Sequence, residues 1–233
     1  MRMLFALALF ALPAAADRES DLTAANCMRE YYAQLSGGGS FDHLRDRLIP
    51  VMKTMSPKVH ASVVRQLNKG FDKKYDKDNA YLSAIAQTLA AGGKGGIATL
   101  YRRFKAEGKR DDVRQLIAEA LGGCGDEDAL DTLEKMMYDA APGVAAAAIT
   151  GMGSYGKVDE KARKETCKAL VKQFGKVTDK AAGKDPEGAE MKYYLALKGP
   201  FNATLKAFTG QELDSAAAWD AWLRENITQP WAG

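Results

Sequence analysis

Tyr81-Leu82-Ser83-Ala84-Ile85-Ala86-Gln87-Thr88-Leu89, then Val113 to Leu121, then Val144 to Met152, carry nearly the same pattern three times. Each block opens on a bulky apolar residue and repeats an apolar one four positions on: Ile85, Ile117 or the smaller Ala148. Each closes on Leu89, Leu121 or Met152, and a glycine follows four residues later: Gly93, Gly125 and Gly156. The offsets between those glycines, 32 and 31 residues, have the size that stacked helix pairs use. Val113, Leu116, Ile117, Ala120 and Leu121 form one stripe of an α-helix. No run alternates with the two-residue period of a half-buried strand. The chain therefore reads as all-α, an α-solenoid of antiparallel helix pairs. One such pair cannot bury its apolar stripe alone, and stacking side by side gives a continuous core.

Local signals around the blocks agree. Asp111 and Asp112 stand where carboxylates cap free N–H groups and meet the positive helix end. The cluster Gly122-Gly123-Cys124-Gly125 supplies a left-handed stop. Asp126 is placed to cap a second helix with the stripe Leu130, Leu133 and Met137, and Pro142 suits the first turn of the next. The alanines of the third block cannot fill space, so neighbouring backbones are expected to come close there.

Outward from the blocks, residues 1–16 read as a signal peptide: Arg2, an apolar run from Leu4 to Leu12, then Ala14-Ala15-Ala16 at the cleavage position. The expected mature chain starts at Asp17, is exported (periplasmic or secreted), and holds no run of the ~20 apolar residues a bilayer crossing needs. Residues 17–39 read as a capping helix, with Leu22, Cys27, Tyr31 and Leu35 in register, plus a Gly-rich joint. Residues 40–198 are expected to form the repeat solenoid. Its first part, 40–70, is a diverged repeat in which Pro50 should kink the helix that starts at Ser40. The segments 68–79 and 178–188 read as loops, Met191 to Leu195 as an inner helix, and 199–233 as C-terminal capping helices. In that last part Pro200 opens a short helix, and Trp219 and Trp222 close the stack.

Composition excludes several classes. Without Arg2 the chain has 32 basic and 30 acidic residues, a net +2, whereas a dedicated nucleic-acid binder usually shows a strong basic excess. Cys27, Cys124 and Cys167 allow at most one internal disulfide. There is no C-x-x-C, and His43 and His60 stand apart, so no zinc site is expected. The Gly92-Gly93-Lys94-Gly95-Gly96 stretch lacks the Gly-Lys-Ser/Thr ending of a phosphate loop. No catalytic, cofactor-binding or metal-binding residues are assigned.

The segment from 40 to 174 resembles HEAT repeats, including the HEAT-like repeats of the phycobilisome-lyase type. The resemblance rests on Val113-Arg114 with Ala118 and Leu121 before Gly125, and on Pro142-Gly143-Val144 with Met152 before Gly156. The tail Leu205 to Gln211 with Trp219-Asp220-Ala221-Trp222 is similar to the closure of exported bacterial HEAT-repeat proteins. Leu82 and Ala145 stand where Arg114 has the family's common arginine. The resemblance implies a binding scaffold, with no shared catalytic residues.

Two surfaces are candidates for that binding. Inner helices should line a concave side and present Ser83, Gln87, Arg114, Gln115, Glu119 and Thr150, a mildly polar groove suited to a protein or an extended peptide. The outer helices alternate in sign: residues 94–110 carry +5, 126–139 carry −5 and 157–176 carry +4. Lys161, Lys164, Lys168 and Lys172, with Lys157 and Lys176, then form either a basic stripe for an anionic polymer or headgroup, or one side of pairing with the acidic helix. The leading expectation is an exported non-enzymatic scaffold for protein–protein contacts. The alternatives are a lyase-type accessory protein, which needs a sheltered pocket, and an anionic envelope-polymer binder.

Overall fold

The computed structural model describes residues 15–37, 40–72 and 78–231. Ten α-helices account for most of it: α1 Ala15–Gly37, α2 Pro57–Asn68, α3 Asn79–Ala91, α4 Gly93–Ala106 and α5 Asp111–Gly122. They continue as α6 Asp128–Met136, α7 Pro142–Met152, α8 Glu160–Ala181, α9 Ala189–Thr209 and α10 Ala216–Asn226. No strand occurs among the described residues. The proposed signal peptide falls almost wholly on residues 1–14, outside the described residues, as do Gly38 and Gly39 of the joint and residues 73–77 of the charged loop.

The three aligned blocks are α3, α5 and α7, and they lie side by side, with α9 extending the row. The outer row runs α2, α4, α6, and α10 packs on α8. One apolar core threads the stack from Ala24 to Trp231. This is the arrangement that a 32/31-residue period demands, because each helix dries its stripe only against the next repeat. Of the three turn glycines, Gly93 and Gly125 are left-handed, with φ of 62° and 66°. Gly156 is instead right-handed, and its role is a close approach to the backbone of α9.

Several local expectations change. Leu22 points to solvent, 65% exposed, and Ala24, Cys27, Met28 and Tyr31 dock α1 instead. The helix expected from Ser40 is a π-helical segment, Leu44–Leu48, running into a 3₁₀ turn, Ile49–Val51. Pro50 has no N–H to give an α-helical ladder, so the chain changes pitch there rather than merely bending. Asp111 and Asp112 make no cap hydrogen bond but sit in the first turn of α5. Ser56, at the N-cap of α2, ties that helix to α1 instead of capping it, its N–H and hydroxyl donating to Asp21.

The C-terminal third differs most. Thr178 to Ala181 belong to α8, and α8 packs chiefly on α9 and α10. Pro200 opens no new helix: α9 runs unbroken through it, across the boundary expected at 198–199. A proline inside a helix costs about 3 kcal/mol. Fully burying an apolar side chain contributes about 1.5–3 kcal/mol, and Leu197, Phe201, Leu205 and Phe208, spaced four, four and three apart, are all buried. Stacking of Phe201 on Phe174 of α8 at 4.8 Å locks the two halves of α9 in line.

Candidate functional site

The repeat brings equivalent side chains into rows. Ser83, Gln115 and Ala146 share one position of α3, α5 and α7, and Gln87, Glu119 and Thr150 share another one turn on. In α3 and α5 the two positions are tied: Gln87 donates to Ser83 at 3.1 Å, and Gln115 donates to Glu119 at 2.9 Å. Between α5 and α7 the floor is backbone. A Cβ placed on Gly122 would lie 2.5 Å from the Cα of Gly151, and one on Gly151 would lie 2.9 Å from the Cα of Gly122. The close approach expected from the alanine-rich block is thus made by two facing glycines, Gly122 and Gly151.

An open groove of about 480 Å³ runs over this junction, walled by Gln115, Glu119, Thr150 and Ser154 above Gly143 and Ala147. Glu119 is the one charged residue lining it among the described residues. Its chemistry is that of a carboxylate, an amide and two hydroxyls over a floor that a peptide backbone can approach closely. Gln87 is exposed on α3 in the same row but does not line the groove. Ala147 and Ser154 were not singled out from sequence, although the 31-residue offset from Leu116 and Gly123 marks their register.

Arg114 does not present itself for binding. Its side chain is 14% exposed, and its guanidinium reaches Asp111 at 2.7 Å, Asp139 at 3.1 Å and the Gly108 carbonyl at 3.0 Å. It also lies 5.9 Å over the Phe104 ring. The residue that resembles a family ladder therefore knits the α4–α5 turn to the α6–α7 turn, and Tyr193 of α9 donates to the Asp139 carbonyl in the same knot at 2.7 Å.

On α8, Lys161, Lys168, Lys172 and Lys176 are exposed along one stripe, interrupted by Glu165. Lys164 is drawn out of it. Its ammonium meets Glu160 at 2.5 Å, donates to the Gln229 carbonyl at 2.7 Å and sits 5.5 Å over the Trp231 ring. That contact holds the Glu160 carboxyl below the usual range, and it clasps the C-terminal segment onto α8. Beside it lies a shallow hollow of about 350 Å³ lined by Lys161, Glu165, Lys168 and Ile227. The expected pairing of α8 with acidic α6 is not made among the described residues. Burial, then Asp131, raise the Glu134 carboxyl of α6; its neighbour Lys135 opposes that rise and Glu165 of α8 adds to it.

The remaining reactive groups are packing residues. All three cysteines are free, and burial pushes the Cys167 thiol up to about 12. Cys124 sits 3.4 Å from the Tyr155 hydroxyl, which donates to the Leu121 carbonyl. His43 is buried 3.8 Å from Glu30, and burial holds its imidazole below the ordinary value. No cluster of His, Cys, Asp or Glu able to hold a metal occurs among the described residues. No helix among them is long and apolar enough to cross a membrane. Residues 99–182, from the middle of α4 to just past the end of α8, match the family model of HEAT repeats. No curated protein and no solved structure matches the chain.

Proposed function

From the premise that this all-helical chain is a HEAT-repeat protein, we propose that it is an exported, non-enzymatic scaffold that holds an extended peptide segment of a protein partner in the α5–α7 groove. The observation that carries this reading is the register of Gln115, Glu119, Thr150 and Ser154 over a floor of glycine and alanine. Amide, carboxylate and hydroxyl groups in that row can satisfy the N–H and C=O groups of a strand that has no partner strand of its own. A polar floor would have to be desolvated by such a guest; glycine and alanine avoid that cost. The groove is open rather than sheltered, which favours a scaffold over a lyase-type accessory role.

Selection from a displayed peptide library tests it. Ala147→Trp fills the groove, and binding of selected peptides should fall by roughly tenfold or more, as loss of a well-packed anchor site does. Lys168→Glu on α8 should leave that binding unchanged. Selection of no peptide, or peptides indifferent to Ala147→Trp, overturns the groove. Export is tested separately by fractionating cells and sequencing the mature N-terminus, expected at Asp17; a chain retained uncleaved in the cytoplasm overturns that part.

A further inference from the structure

The outer face carries two neighbouring ridges of opposite charge whose charges are not used inside the molecule. On α6, Glu127, Asp131 and Glu134 follow one another at four and three residues, with Tyr138, 50% exposed, next along the same side. None of these three carboxylates makes an ion pair among the described residues, and neither do Lys161, Lys168, Lys172 or Lys176 on α8. The basic α4 ridge is different. Arg103 is held by Asp72 and Glu107, and Lys105 lies 4.8 Å over the Tyr101 ring. Among the described residues these α6 carboxylates and α8 lysines face outward without ion pairs, and Glu165 of α8 adds to the rise of the Glu134 carboxyl instead of neutralising it.

We propose that this face binds a second copy of the chain, across a two-fold axis lying along the valley between α6 and α8. Such an axis maps the acidic ridge of one copy onto the basic ridge of the other, twice, so one patch is its own complement. An axis across the valley would set acid on acid, and like charges would exclude it. The lengths agree: the nine-residue α6 spans about 13 Å and Lys161 to Lys172 about 17 Å at the helical rise. Tyr138, exposed just past the end of α6 and near Glu134, supplies an aromatic contact of the kind enriched at interfaces. The dimer is weak and salt-sensitive, since exposed pairs are screened within about 10 Å at 0.1 M salt and about 3 Å at 1 M. It uses the outer face and does not depend on the groove reading.

Sedimentation velocity on the full chain tests the dimer. At low salt the mass should double with rising concentration, and 0.5 M NaCl should return the monomer. Lys168→Glu with Lys172→Glu, and separately Glu127→Lys with Asp131→Lys, should each weaken dimerisation by roughly tenfold or more, all four positions being exposed. Mixing the two double variants should restore a heterodimer, because both interfaces then face opposite charges; combining all four changes in one chain should restore self-association. A monomer at low salt, or a dimer indifferent to these swaps, overturns the proposal. So does a lysine row that binds vesicles containing phosphatidylglycerol, is lost in Lys168→Glu/Lys172→Glu, and shows no self-association.

Discussion

The junction of α5 with α7 and the junction of α8, α9 and α10 solve one problem by opposite means. In the first, two glycines let backbones meet, and hardly any side chain lies between them. In the second, Phe174, Phe201 and Trp219, all fully buried, hold helices apart and fill the gap. A glycine contact has nowhere to put an added atom, whereas an aromatic contact loses most when an atom is taken away. The middle of the stack is therefore sensitive to gain of volume and the end to loss of it.

The largest expected effect is at the end. Trp219→Ala removes a fully buried indole and orphans Asn202, whose side-chain oxygen accepts from the Trp219 N–H at 2.9 Å. Unfolding in urea should show a loss of about 3–5 kcal/mol; a loss under about 1 kcal/mol would mean that α10 does not close the stack. Next comes Arg114→Ala, which leaves the Asp139 side chain, 6% exposed, without its cation. A cost of about 1–3 kcal/mol is expected, with peptide binding in the groove unchanged in the folded protein.

The sharpest test of the comparison is a matched pair. Gly122→Ala drives a Cβ into the Gly151 backbone and should destabilise by about 1–3 kcal/mol. Gly175→Ala, inside α8 with no atom within 4 Å of the new Cβ, should stabilise by about 0.5–1 kcal/mol, because alanine is the better helix former. If both changes stabilise, the close backbone contact at α5–α7 carries no weight.

The smallest effect is one of pH. His43 has its imidazole pKa lowered below 6.5 by burial, outweighing Glu30, which raises it, with Arg47 lowering it further. The unfolded chain then binds a proton that the folded chain refuses. Stability is full above about pH 6.5 and falls as pH drops below that value, levelling only beneath the folded pKa. Urea midpoints should decline on acidification, and His43→Gln should flatten the slope. Glu134, raised by burial, acts with the opposite sign, so the difference between wild type and variant isolates His43. Parallel curves for the two proteins would remove His43 as the source.

Legibility followed the range of the forces involved. Helix positions, the 32- and 31-residue offsets and the first-turn place of Pro142 depend on neighbours within a turn or on a repeated register, and both are written in order along the chain. The row of Gln115, Glu119 and Thr150 was legible for the same reason. Arg114 and Lys164 were misplaced because their partners, Asp139, Gln229 and Trp231, lie 25 to 67 residues away.

By itself, then, the sequence determined the helices, their period and the side-by-side stacking, because an amphipathic stripe that recurs every 32 or 31 residues has no other dry place to go. Only the tertiary structure decided that α9 continues through Pro200, that α8 leans on α9 and α10, and that among the described residues the α8 lysines make no ion pair with the α6 carboxylates. In each case a local preference of a few kcal/mol met burial or repulsion from residues far along the chain, and the distant contacts prevailed.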